Sequence, residues 1–290
     1  MQKKIWLLSI VAAVALLLSG ASVCGGEDVY VIAGGGPPVG TKITSLPYTI
    51  TAPGFYYVTR DLTYSGSSHG ITVQSDNVTI DLMGFRLSGP GSGSSSKGIV
   101  CNFILFPPFT AYYNVEVRNG CLIGWAYGFH GYLRSRALNL RVQNCMHGLS
   151  VSGLVKGCSV DGCSDGINNI GITTGNTVSN CSGTGIGGEQ GTISGNAVSY
   201  CSVGISGSGM ISGNSISNCS TYGISVATGN IGSSIIGNTV QPSSNSTGIY
   251  IDSLPNPPTL LTQNAVGQGG TPFHSGGDRT INVANTNAGF

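Results

Sequence analysis

The sequence predicts an all-β protein, a single-stranded parallel β-helix of about nine to ten coils, and three observations carry that prediction. The first is a repeated phrase. It reads Leu140-Arg-Val142-Gln-Asn-Cys145-Met-His-Gly148-Leu149, then Cys158-Ser-Val160-Asp-Gly-Cys163-Ser-Asp-Gly166-Ile167, and it returns around Val178, Val198, Ile216 and Val240. Looser copies stand at Val78-Thr-Ile80, Val115-Glu-Val117 and Asn264-Ala-Val266, which makes nine. The cysteines of the phrase are 18, 18, 20 and 18 residues apart. The second is a set of three apolar anchors per copy. They are the Val of the x-Val-x element, the Ile of the Gly-Ile pair, and an isoleucine just before Gly-Asn, namely Ile172, Ile193, Ile211 and Ile236. Alternation around each anchor gives short strands, with Gly, Asn and Ser as turns between them. The third is composition: 47 of 290 residues are Gly and only 8% are charged. Helical-hairpin repeats run to about 33–47 residues, and their helices reject this much Gly and β-branched residue. Three strands and three turns make one coil, and stacking coils buries anchors that no single coil can bury.

The segments follow in chain order. Residues 1–21 read as a signal peptide: Met1-Gln2-Lys3-Lys4 is basic, Ile5 to Leu18 is apolar, and Ser19-Gly20-Ala21 supplies small residues at the cut. The apolar run is short of the ~20 residues that a membrane span needs. The expected location is therefore secreted or cell envelope, with no transmembrane span in the mature chain. Cys24 leaves lipid attachment open, although Ala21-Ser22-Val23 is a poor lipobox. Residues 22–64 are expected to lead in and cap, because an open end of a β-helix is an exposed sheet edge. Residues 65–268 form the β-helix, and residues 269–290 are a loose C-terminal tail beyond Pro255-Asn-Pro257-Pro258.

The repeats resemble those of the right-handed parallel β-helix proteins, the pectate-lyase-like superfamily. The stretch Pro53-Gly54-Phe55-Tyr56-Tyr57-Val58-Thr59-Arg60-Asp61-Leu62, followed by Asp76-Asn77-Val78-Thr79-Ile80-Asp81-Leu82-Met83-Gly84-Phe85, resembles the entry segment of exported bacterial β-helix domain proteins. The resemblance implies a right-handed coil, as the general handedness of parallel crossovers also does. It implies no one activity, because the architecture hosts lyases, hydrolases, epimerases and adhesins. The polygalacturonase-like set of Asn-Thr-Asp, Asp-Asp, Gly-His-Gly and Arg-Ile-Lys is absent, and Phe129-His130-Gly131 is its nearest fragment.

A formal net charge of +1 supplies no basic stripe for phosphates, so no nucleic-acid partner is expected. Cys145, Cys163, Cys181, Cys201 and Cys219 share one repeat position and should stack as an inward ladder. The inter-strand spacing of about 4.8 Å exceeds the ~3.8 Å Cβ separation of a disulfide. Small buried hydrophobes are the reading that fits. No His shares that register, so no metal is expected, and no cofactor. The column Asn176, Asn196, Asn214, Asn238 reads as a turn-stabilising ladder.

Residues 190–251 contain no Asp, Glu, Lys, Arg or His. General acid–base work needs such groups, so reactive chemistry belongs upstream. Aligning copies on the central Val predicts two outward columns: Thr79, Glu116, Arg141, Ser159, Thr177, and Asp81, Arg118, Gln143, Asp161, Ser179. Glu116 should then neighbour Arg141, and Asp81 should neighbour Arg118. They are cross-strand ion pairs or an acid–base patch. The catalytic candidates are Asp81, Arg118 and His130, and an enzyme requires them to converge with the 102–113 loop on one groove. Nine of 22 aromatic residues fall between Phe103 and Tyr132, and the doubled repeat there marks 102–113 as an extruded loop. Long loops on a rigid solenoid carry function. The ligand-binding candidates are Phe106, Tyr112, Tyr113, Trp125, Arg134 and Arg141, which would stack sugar rings and hold acidic groups. The expected function is an exported, non-catalytic glycan-binding or surface scaffold protein of the cell envelope, its partner a polysaccharide or cell-surface glycan. The alternative is a polysaccharide lyase or glycoside hydrolase acting on an acidic polysaccharide.

Overall fold

The structure, a computed structural model, describes residues 40–104, 110–226, 233–252, 259–275, 282–283 and 288–289. It is a right-handed parallel β-helix of about ten turns, without α-helices among the described residues. No helix there is long and apolar enough to cross a membrane.

Each coil carries three faces, here A, B and C. Face A begins with Thr41–Ile43, Gly54–Val58 and Val78–Asp81 and passes through residues 115–118, 136–138 and 154–156 to Leu260–Thr262. Face B stacks Arg86–Ser88, residues 121–123 and 141–143, Ser159–Asp161, Thr177–Ser179 and onward. Face C stacks Tyr48–Ile50, Ile71–Val73, Lys97–Cys101, residues 127–130 and 147–151, Asp165–Asn169 and onward. Among the described residues, strands in this register begin at Thr41, inside the segment expected to lead in, and continue through Thr271–Ser275 and beyond.

The core is the sum of three inward columns: Val117, Ala137, Val155 and Ile193 on A; Leu122, Val142, Val160 and Val178 on B; Phe129, Leu149, Ile167 and Ile186 on C. All are at most 1% exposed. The anchors before Gly-Asn need one correction. Ile193 and Ile211 point inward, but Thr173 and Ile235 take that position in their coils, leaving Ile172 half exposed and Ile236 half-buried. The inward residue stands three before the Asn in every copy, whatever its type.

The A-to-B turn needs a left-handed residue in each coil: Asn119 (φ 55°), Asn139 (φ 51°), Gly175 (φ 63°) and Gly195 (φ 63°). Gly and Asn tolerate that conformation, which explains their abundance. The Asn ladder lies just beyond it. Asn176, Asn196, Asn214 and Asn238 each donate Nδ2 to the Oδ1 of the next Asn at 2.9 Å, ending on Asn264. Each is at most 2% exposed.

The cysteine ladder is buried and its thiols are free. Burial pushes the thiol of Cys219 up to about 11, so it stays protonated. The C-to-A corner takes the longest insertion between faces among the described residues. After Lys97–Cys101 the chain leaves the helix as an antiparallel hairpin, Phe103–Ile104 with Thr110–Ala111, before rejoining face A at Val115.

Candidate functional site

Face C carries the densest group of titratable side chains. Its coils from His69-Gly70-Ile71 to Thr247-Gly248-Ile249 each contain an x-Gly-apolar phrase, and the residue before the Gly points outward. Successive coils place His69, Lys97, Tyr127, His147, Asp165 and Thr184 in that position. Gly fixes the spacing: a Cβ on Gly98 or Gly128 would sit 2.6 Å from the carbonyl oxygen of the next Gly in the column. The backbones therefore approach closely and the residues ahead of them align as a ladder. Two positions beyond the Gly, a second outward column sets Val100, His130, Ser150, Asn168 and Gly187 side by side.

The contacts join these columns. Lys97 Nζ donates to His130 Nδ1 (2.6 Å) and lies 5.0 Å from the centre of the Tyr127 ring. Tyr127 stacks on His130 (4.7 Å) and packs against His147 (4.5 Å), and His130 packs against Tyr132 (4.7 Å). His147 Nδ1 is 3.1 Å from Asp165 Oδ2, whose other oxygen accepts from Thr184 N (3.1 Å). His69 Nδ1 accepts from Lys97 N (3.3 Å).

Burial, with the nearby charge of Lys97 next, pushes His130 down to about 4. The same causes lower His69, and burial lowers Lys97. His130 is thus a neutral acceptor at pH 7, its ring proton on Nε2, facing a cation that has no carboxylate partner among the described residues.

A groove of about 790 Å³ opens from this cluster along face C. Tyr127, His147 and Asp165 line it, with the hydroxyl and amide groups of Ser150, Asn168, Thr184 and Ser206 and the carboxylate of Glu189. Stacked rings consume one another's faces, so Tyr127 and His147 form a wall of the groove and not an open platform. No group of three or more His, Cys, Asp or Glu among the described residues is disposed to hold a metal.

The residues singled out from the sequence fall on different faces. Asp81 and Arg118 are neighbours, as expected (Nε to Oδ2, 2.8 Å), but on face A. Asp81 is 1% exposed, and its oxygens also accept from Met83 N and Asn119 Nδ2. His130 lies on face C, so the three catalytic candidates do not meet and Asp81 is enclosed in a structural ion pair. Glu116 pairs with Arg136 (3.1 Å), not Arg141. The strand Val115–Ile123 turns from face A to face B at Asn119, so Arg141 aligns with Cys121 on face B.

Among the ligand-binding candidates, Trp125 is a correction. It is 0% exposed, donates Nε1 to Leu87 O (3.0 Å) and stacks on Tyr64. It occupies the inward position that Cys145 takes in the next coil, and its ring fills the space left by Gly70, Gly89 and Gly98. Phe106 lies outside the described residues. Tyr112 is half-buried and Tyr113 exposed at the base of the hairpin, where Tyr113 N donates to Asp76 Oδ1 (2.7 Å). Arg134 is exposed at the C-to-A corner, away from Arg141 on face B. The residues missed from the sequence are His69, Lys97, His147 and Asp165. Their signal was the x-Gly phrase itself, read for its anchor and not for the residue ahead of it.

No protein-family model matches the chain, and no curated protein sequence matches it. Among solved structures it is similar to the Dettilon tailspike protein gp208, with a TM-score of 0.50 at 14% identity over 81% of this chain. The chain spans 60% of that protein's length. It is also similar to the A-modules of the Azotobacter vinelandii mannuronan C-5 epimerases AlgE6 and AlgE4. Their TM-scores are 0.39 and 0.43 at 14% and 12% identity, over 87% and 86% of this chain and 79% and 85% of theirs. What the chain shares with the tailspike is the right-handed parallel β-helix fold.

Proposed function

We propose that the protein is an exported glycan-binding protein, secreted or held in the cell envelope after removal of a signal peptide, and that face C is its binding surface. One observation carries this reading. A groove of saccharide-compatible hydroxyls and amides ends at Tyr127, and 5.0 Å from the centre of that ring lies a half-buried lysine cation with no carboxylate partner among the described residues. Sugar hydroxyls fit the groove wall, and Lys97 suits the carboxylate or sulfate of an acidic glycan. The test is a screen of purified protein against acidic and neutral polysaccharides, reading both binding and new reducing ends. Binding of an acidic glycan, weakened about tenfold or more by Lys97→Ala, is the expected result, since a hydrogen bond to a charged group contributes roughly 1.5–3 kcal/mol. Absence of binding to every polymer would overturn it.

A second reading rests not on Asp81 and Arg118, which do not converge with His130, but on the neighbours of His130 on face C. An unprotonated His130 at 2.6 Å from Lys97, beside Tyr127 and the His147–Asp165 pair, is an arrangement able to take and return protons. That reading is a polysaccharide lyase or glycoside hydrolase on an acidic polysaccharide. New reducing ends in the same screen, lost in His130→Gln, would select it.

A further inference from the structure

Face A carries an exposed apolar row that neither the core nor the groove uses. Register places Leu154, Ile172, Thr192, Met210, Ser234 and Leu260 in one outward column on successive coils. Ile172 is 50% exposed, Met210 49% and Leu260 38%, and Ile170, at the edge of the face, is 61% exposed. Two residues along each strand stands a second outward column: Lys156, Thr174, Ser194, Ser212, Ile236 and Thr262. Lys156 is the only charged residue among these twelve, and Arg136 continues the first column beyond Leu154. Contiguous exposed apolar surface of this kind marks interaction sites.

The order of residue sizes says what covers it. A two-fold axis lying in the plane of the interface, parallel to the strands and midway between the Thr192 and Met210 strands, lays the reversed row onto itself. It sets Thr192 of each copy against Met210 of the other, Ile172 against Ser234, and Leu154 against Leu260. The same rotation brings Ile236, in the second column, over Thr174 of the other copy. Three of these pairings put a large side chain on a small one, Leu154 against Leu260 is apolar on apolar, and none opposes like charges. A self-complementary patch of this form is what an isologous interface requires.

We propose that face A is a self-association surface, on which two copies of this chain pack antiparallel about that axis. Six strands by five residues make a patch of about 24 by 16 Å, or about 400 Å² per copy, against roughly 800 Å² for a standard stable interface. The dimer is therefore weak and concentration-dependent.

Sedimentation velocity over a wide concentration range tests it. The expected result is a reversible rise from monomer to dimer. Met210→Glu adds a charge at an exposed site without touching the core, and it should weaken association about tenfold or more by burying an unpaired carboxylate, with circular dichroism unchanged. Chains carrying Thr192→Cys mixed with chains carrying Met210→Cys should cross-link to each other on mild oxidation. A monomer at every concentration, a dimer indifferent to Met210→Glu, or failure of the mixed cross-link would each overturn the proposal.

Discussion

Tyr200 sits at the B-to-C turn with φ 55°, where neighbouring coils place Asn144, Asn180 and Asn218. A left-handed conformation costs a residue with a Cβ about 1–2 kcal/mol, and Asn, which bonds locally, bears it best. Tyr200 is also 61% exposed, so its ring recovers little by burial. Tyr200→Asn should therefore raise stability by about 1 kcal/mol, read as an upward shift of the thermal midpoint. His130 makes the opposite kind of demand. Its folded pKa of about 4 lies below the ordinary 6.5, so between these values the unfolded chain binds the extra proton. The stability it contributes is complete above pH 6.5 and is lost as pH falls toward 4. Thermal midpoints across that window should fall less steeply in His130→Gln than in the parent protein. Equal slopes would mean that His130 is not held neutral. At this scale the sequence was only partly legible. Period-2 alternation does not say which of two adjacent apolar residues points inward, hence Ile235 against Ile236. Nor does it mark a Thr in a core column, as at Thr173.

The Asn ladder is the element whose meaning the repeat displays most directly, because a residue type recurring at one position on successive coils has neighbours of its own kind. Each central Asn accepts from the backbone N–H and Nδ2 of the Asn before it and donates to the next and to a carbonyl. Asn214, for example, accepts from Asn196 N and Nδ2 and donates to Asn238 Oδ1 and Ile193 O. Asn214→Ala leaves several buried groups without partners at about 1–3 kcal/mol each. A loss of about 3 kcal/mol or more is expected by denaturant titration, and a loss under 1 kcal/mol would show that the ladder relaxes around the gap. The face C ladder is the contrasting case. His69, Lys97, Tyr127, His147 and Asp165 are five positions of one column but belong to four residue types, so no repetition of type announces them. Only the invariant small residue behind them is periodic.

Across the molecule, the repeat made the solenoid legible in advance because its period, its anchors and its turn residues all demand the same coil. What it left open was the phase between faces. Val115-Glu-Val117 and Leu140-Arg-Val142 look alike as phrases, yet one lies on face A and the other on face B, since a strand that bends through a corner carries two phrases with one appearance. That ambiguity moved Arg141 away from Glu116. Charge distribution survives the same scrutiny better. The coils from residue 190 to 251 lack Asp, Glu, Lys, Arg and His, and the titratable cluster of face C lies upstream of them.

The A-to-B turns are held by left-handed residues and the Asn ladder, and the B-to-C turns from Gly124 to Asn218 by left-handed residues, whereas the C-to-A corner takes a hairpin between Cys101 and Val115 and leaves the register of every face intact. That corner is a port for inheritance. Lineages of this chain can lengthen, exchange or discard segments there while the stack beneath copies itself unchanged. New specificities can thus be tried at the rim of face C without reopening the question of how the protein folds.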